Sequence, residues 1–265
     1  SNGRSASPLL DLLLGAHSEL WTVGEAQHLP LWVRRKDVCG CGETLVACEF
    51  WKPMLADIPL TGQVAPLELF RETGQGRVLR WGLLGALRRG RVPEKHMASA
   101  RSYGALNHTY FSMVRAAAEK CSGNKVRFLV DASKDPYRLL WLAASDCFDL
   151  HVIHLVKDPR AFVYSMTGSE DRPRRRVVRF TARWIIENAL MHRLVKRAFS
   201  GRSKTILYED LASDPNGVMA KIGAWLGIEY TPEIVGAFRQ VENHAVSGNK
   251  MRWSDAPIVL DERWK

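Results

Sequence analysis

The chain predicts an α/β fold, a central parallel sheet flanked by helices, and three short apolar runs carry that expectation. They span residues 125–131 (KVRFLVD), 150–156 (LHVIHLV) and 204–208 (KTILY). Each is bounded by polar residues and short enough for a buried strand. Helical patterns separate them, and prolines at 136 and 159 suit first helical turns. Strands alternating with helices give parallel neighbours, because a parallel crossover needs a long connection. Ligands in such sheets gather at the C-terminal strand ends.

The remaining elements follow in order. A small-residue loop opens a helix over 9–15, with Gly15 as its stop. From 42 to 91 the signal is broken by Pro53, Pro59 and Pro66, and short helices are expected. Residues 99–120 show helical spacing through Tyr103, Leu106, Tyr110, Met113, Val114 and Ala117, ending in a turn at Cys121-Ser-Gly-Asn. Helices follow over 136–144 and from 159 to 165. The stretch 174–199 is amphipathic, with Trp184, Ile185, Ala189, Leu190 and Leu194 on one side. Residues 218–226 form a helix closed by Gly227. The 265 residues are expected to form one domain, with about 40–99 a variable, acceptor-side insertion.

Charge narrows the partner. The formal net charge is +10, and six arginines fall between Arg172 and Arg183, so an anionic partner is expected. Nucleic acid is not the expected one: the stretch lacks the interleaved aromatics of a single-strand binder and the heptads of a basic zipper. No apolar run of 18 residues suggests a membrane span. With no visible targeting segment, the expected compartment is the cytoplasm. Cys39, Cys41 and Cys48 cluster as C-x-C-x6-C among five cysteines. The odd count does not read as a disulfide framework, and paired C-x2-C spacing with histidines is missing. Free thiols beside a loop are expected, a metal or a disulfide stays open, and no metal ligand is assigned.

Five constellations carry chemistry. The loop Gly3-Arg4-Ser5-Ala6-Ser7-Pro8-Leu9 enters a helix, so its amides and the helix dipole face an anion; Ser5 or Ser7 could equally be a plain cap. In 155–165 (LVKDPRAFVYS) a strand runs into a helix, with Lys157 and Ser165 able to bracket one phosphate, or Asp158 simply capping. Residues 130–136 (VDASKDP) set Lys134 just past a strand. Residues 208–215 (YEDLASDP) and 244–253 (HAVSGNKMRW) complete the set.

In this order the five pieces resemble the sulfotransferases that use 3′-phosphoadenosine-5′-phosphosulfate (PAPS), with their P-loop-like sulfotransferase fold. RSASPLLDLLLGAHSELWTVGE is similar to the family's R-S-G-[ST]-[ST]-L loop, helix and following G-E. VIHLVKDPRAFVYSM resembles its 3′-phosphate segment, LYEDLASDP its Y-E-D-L-x-x-D-P segment, and HAVSGNKMR its C-terminal G-N-x-x-R segment. Tyrosylprotein and bacterial-type small-molecule enzymes look nearest. The resemblance implies that Arg4 and the amides of Ser5, Ala6, Ser7, Pro8 and Leu9 form the 5′-phosphosulfate loop. It implies Lys157 and Ser165 at the 3′-phosphate, Tyr208 near adenosine, and Ser247, Lys250 and Arg252 closing over the nucleotide. Lys134 would meet the bridging oxygen or sulfuryl group, and Glu25 would be the general base, with His17 and His28 its nearest substitutes.

Three departures have physical consequences. Lys157 stands where arginine is usual, turning a bidentate grip into a point charge. Ala6 replaces a glycine, which requires negative φ there. Pro8 replaces Ser/Thr and removes two donors. The resemblance also implies a first core strand upstream of residue 1. The expected activity is transfer from PAPS, leaving PAP, to a carbohydrate, peptide or small-molecule hydroxyl. The rival expectation is a basic nucleotide- or nucleic-acid-binding module of the same fold without transfer. A small-molecule kinase is set aside, because the Walker lysine and its Ser/Thr are missing.

Overall fold

Four short strands organise the described residues, each rich in aliphatic, aromatic and β-branched side chains. The structure, a computed structural model, describes residues 7–57, 84–168, 173–246, 253 and 257–265. Strand β1 (Leu20–Gly24) pairs in parallel with β2 (Phe128–Asp131), and β3 (Val152–Val156) pairs in parallel with β4 (Ser203–Leu207). Three of these strands are the expected ones: β2 and β3 start later than expected, and β4 shifts by one residue, taking in Ser203 and leaving Tyr208 to the helix that follows. The fourth, β1, was not among them; its signal is the run Leu20-Trp-Thr-Val before Gly24. Among the described residues the strands form two hydrogen-bonded pairs rather than one continuous ladder.

The β1–β2 register runs from Leu20 opposite Phe128 to Gly24 opposite Asp131, with an irregularity between Thr22 and Gly24. Gly24 sits at φ +69, and a Cβ there would lie 2.1 Å from the Val246 carbonyl oxygen. Glycine is therefore required where β1 turns away and the C-terminal segment crosses it.

Helices fill the connections. They are α1 (Ser7–Gly15), α2 (Leu29–Arg34), α3 (Trp51–Asp57), α4 (helical over 84–89), α5 (Met97–Ser122) and α6 (Pro136–Ala144). Then come α7 (Pro159–Thr167), α8 (Arg174–Ala198), α9 (Tyr208–Ser213), α10 (Pro215–Leu226) and α11 (Pro232–Gly236). Four starts share one local code, an oxygen-bearing cap followed by proline. Asp135, Asp158, Asp214 and Thr231 each accept a backbone N–H from the first turn that follows. Such starts need little tertiary help: α6 and α7 begin at the expected prolines, whereas α10 begins at Pro215, ahead of the expected 218, and α11 is not among the expected helices.

Three apolar clusters surround the strands. The first joins Leu9–Leu14 of α1 to Leu155, Ile206, Tyr208, Met219, Ile222 and Tyr230. Helix α1 is buried on nearly every side, as its five leucines demand, and the Tyr230 hydroxyl donates to the Leu14 carbonyl at 2.9 Å. The second joins Val23, Leu29, Leu45 and Trp51 to Tyr110, Val114 and Val246. The third packs α4, α5, α6 and α8 through Leu87, Tyr103, Trp141 and Leu194.

Two expected faces are corrected. On α5, Leu106 is 45% exposed, and the buried stripe instead includes Asn107 at 0%. Asn107 belongs inside because its Oδ1 accepts from Arg138 Nη1 at 2.8 Å. On α8, Ile185 is exposed and Leu194 and Val195 are buried, because only the C-terminal part of the helix enters the third cluster. No helix among the described residues is long and apolar enough to cross a membrane.

Candidate active site

Both strand pairs end in turns that carry the expected functional residues. The β1 and β2 ends are stitched together: Ala132 N–H donates to the Gly24 carbonyl at 2.7 Å, and Gln27 N–H to Ser133 Oγ at 3.2 Å. On this frame the Glu25 carboxylate and the Lys134 ammonium meet in an ion pair, although 109 residues separate them in sequence. Both are mostly buried, at 15% and 17% exposure, so Glu25 is not a glutamate on a solvated loop. It starts the short 3-10 turn Ala26–His28 without capping it, and its backbone N–H donates to the Val246 carbonyl at 2.9 Å. Its second oxygen lies 3.6 Å from His28 Nε2.

The two histidines named as substitutes separate cleanly. His17 is structural: its Nε2 lies 3.1 Å from the Glu229 carbonyl, and its Nδ1 accepts from Glu19 N–H. His28 stays beside Glu25, held also by the Gln27 side chain at 3.0 Å.

Behind Lys134 lies a buried network with little signal along the chain. Arg138 is 1% exposed; it donates from Nε and Nη2 to Asp131 Oδ2 at 3.2 and 2.9 Å, and from Nη1 to the Tyr103 hydroxyl at 2.5 Å. Asp131 also receives Ser133 N–H at 2.9 Å. A guanidinium bonded from all three of its nitrogens thus fixes the loop that presents Lys134. A lone arginine on a helix face ordinarily reads as solvated, so only the close approach of α5 and α6 identifies this one.

At the end of β3 the environment differs. Lys157 is 7% exposed and rests over the Tyr208 ring, 4.8 Å from its centroid. Burial lowers its pKa, partly offset by Asp261 and Glu209 nearby. Among the described residues no carboxylate comes within 4 Å of its ammonium. The turn is held by Asp158 N–H donating to Glu209 at 2.9 Å, and by Trp184 Nε1 donating to the Lys157 carbonyl at 2.9 Å. Asp158 caps α7, as the plain structural reading of that residue expects. Ser165, nearly two turns into α7, donates to the Phe162 carbonyl at 3.2 Å.

The structure therefore brings together Glu25 with Lys134, and Lys157 with Tyr208. Ser7, Pro8 and Leu9 open α1, where the Ser7 side chain and Leu9 are buried. Arg4, Ser5 and Ala6, and Ser247, Lys250 and Arg252, lie outside the described residues, as would a strand upstream of residue 1. A separate cleft of about 230 Å³, lined by His17, Trp21 and Glu242, lies at the opposite end of β1 from Glu25.

Comparison with known proteins agrees with the family reading. The model of the sulfotransferase family matches residues 2–232. No curated protein matches the chain at a significant level. Solved structures similar to it include the sulfotransferase domain from the curacin biosynthetic pathway, at 18% identity and a TM-score of 0.47, covering 88% of this chain and 74% of that one. The sulfotransferase domain of the Synechococcus PCC 7002 olefin synthase is 22% identical with a TM-score of 0.47, covering 97% and 78%.

Proposed function

The chain belongs to the sulfotransferase family, and from that premise we propose that it transfers the sulfuryl group of PAPS to a hydroxyl acceptor by in-line displacement. The observation that carries this reading is the Glu25–Lys134 pair at the ends of two adjacent parallel strands. Sulfuryl transfer needs alignment, positive charge where oxygens gain electrons, and removal of one proton. A carboxylate touching an ammonium supplies the last two from a single point.

The residues fit a doubly anionic nucleotide. Lys157 holds a positive charge that no described carboxylate neutralises at close range, beside an aromatic face. The start of α1 offers the dipole end and N–H groups of a nine-residue helix, less the one that Pro8 lacks. In this proposal Lys157 and Ser165 hold the 3′-phosphate and Tyr208 borders the adenosine. Arg4 and the Ser5–Leu9 loop hold the 5′-phosphosulfate, with Ser247, Lys250 and Arg252 closing over it.

The donor supplies an activated sulfur whose bond to a phosphate oxygen breaks as the bond to the acceptor oxygen forms. Glu25 takes the acceptor's hydroxyl proton. Lys134 releases Glu25 as that proton arrives and offsets the charge gathering on the departing phosphate. The acceptor is a small-molecule, carbohydrate or peptide hydroxyl, met by the 40–99 stretch and the arginine-rich start of α8.

Thermal shift with PAP, ATP and an oligonucleotide at two salt concentrations tests the reading. Selective stabilisation by PAP is expected, about 2.7 kcal/mol at a hundredfold excess over Kd. A salt-sensitive response to every polyanion would instead favour a basic binding module, for which the missing Pro8 donors and the net charge of +10 are the arguments.

A further inference from the structure

A second constellation lies outside the transfer chemistry. Cys39, Cys41 and Cys48 reach one point in space together with His244, nearly 200 residues further along, and their ligand atoms all lie within 4.8 Å of one another. We propose that Cys39, Cys41, Cys48 and His244 Nδ1 form a closed Cys3His zinc site that fastens the C-terminal segment to the loop after α2.

The distances are those of a coordination tetrahedron. Zinc bonds of about 2.3 Å to sulfur and about 2.0–2.1 Å to nitrogen set S···S edges near ~3.8 Å and S···N edges near ~3.6 Å. Here Cys41 and Cys48 sulfurs are 3.6 Å apart, and Cys39 and Cys48 sulfurs 3.7 Å. His244 Nδ1 is 3.3 Å from Cys48 and 3.7 Å from Cys39. Four protein ligands leave no open position, which marks a structural site rather than a catalytic one.

The surroundings are built for it. The other imidazole nitrogen, Nε2, lies 3.1 Å from the Glu242 carboxylate, the outer partner that orients a metal-bound histidine. Backbone N–H groups serve the sulfurs: that of Cys41 faces Cys39, that of Glu43 faces Cys41, and those of Phe50 and Trp51 face Cys48. The His244 ring stacks on Phe50, with centroids 5.0 Å apart and planes 15° apart, and Phe50 stacks on Trp21. Trp51 Nε1 donates to the His244 carbonyl at 2.7 Å. The cysteine loop turns tightly, Val38 bridging Thr44, and a Cβ on Gly40 would lie 2.3 Å from the Asn243 carbonyl oxygen. The histidine that sequence spacing lacked is therefore delivered by the fold.

This clasp also reaches the transfer site. Two residues past His244, Val246 exchanges backbone hydrogen bonds with β1, accepting from Glu25 N–H and donating to the Val23 carbonyl at 2.9 Å each. The metal site itself does not depend on the sulfuryl-transfer reading.

Zinc per chain, measured by atomic emission on the intact protein purified from zinc-supplemented cells, tests the proposal. One equivalent is expected, and cobalt exchanged into the site should show the ligand-field bands of a tetrahedral thiolate complex. Cys48→Ser should lose the metal, and Glu242→Gln should weaken zinc affinity about 10-fold. Cys121→Ser should keep it; loss there would shift the site to the alternative group of Cys121, Glu242 and His244 and overturn the assignment. A folded wild-type chain with far less than one zinc, or a Cys41–Cys48 disulfide by mass, would overturn it too. If Cys48→Ser fails to fold, wild-type stoichiometry and the cobalt spectrum still decide. PAP binding measured in parallel keeps this outcome separate from that of the transfer reading.

Discussion

Lys134 and Lys157 follow two strand ends, carry the same charge, and meet opposite surroundings. Lys134 is matched inside the protein by Glu25 and steadied by the Asp131–Arg138 network behind it. Lys157 is more enclosed but rests on an aromatic ring, with its nearest carboxylates beyond pairing distance. A charge that the protein neutralises itself can take part in proton movement. A charge left uncompensated at a half-dry site awaits an anion from outside. In the proposed function the same residue type serves chemistry at one turn and binding at the other.

The largest expected effect breaks the first half of this contrast. Glu25→Gln should lower kcat about 10²–10⁴-fold, the ordinary contribution of a general base, while PAP affinity stays within a few-fold. Near-normal turnover would remove Glu25 from the base role and leave His28 as the adjacent candidate.

Next comes Lys157. Lys157→Met should weaken PAP binding about 10–100-fold, as expected for losing charge-assisted hydrogen bonds of roughly 1.5–3 kcal/mol. Lys157→Arg should bind at least as well, through a bidentate grip. The unliganded Lys157→Met protein should melt no lower than wild type, because an unmatched buried charge disfavours folding. Isothermal calorimetry and differential scanning calorimetry read the two halves.

pH sharpens the same point. Burial lowers the Lys157 pKa in the folded state, so the unfolded chain binds more protons between that depressed value and the ordinary lysine value. The stability contribution of this residue therefore rises with pH across that alkaline window. PAP affinity should fall in the same window as the ammonium is lost. Lys157→Arg should flatten both trends.

The smallest effect concerns the α7 start. Asp158→Ala removes the N-cap and should cost about 0.5–2 kcal/mol, read as a lower Tm, with PAP affinity recovered when the assay is cooled. Loss of binding at every temperature would mean that the cap also shapes the phosphate turn.

What was legible in the sequence was local. The cap-proline pairs at 135–136 and 158–159 announce their helices, and the buried runs at β2, β3 and β4 need only their own composition. Glu25 and Lys134 were picked out by resemblance to motif positions, with no sign in either segment that the two side chains touch. Strand β1 was passed over because its few residues follow a strong helix signal. Leu106 and Ile185 were turned the wrong way because hydrophobic spacing says which residues can be buried, not which neighbour arrives to bury them.

By itself the sequence determined the α/β class, the starts of helices such as α6 and α7, and the family, since caps, prolines and short motifs act over a few residues. Only the tertiary structure decided which charges are matched. The Glu25–Lys134 contact, the enclosure of Arg138 and the arrival of His244 at three cysteines all join segments more than 30 residues apart. Pairings of that kind depend on how layers stack, and spacing along the chain carries no record of that.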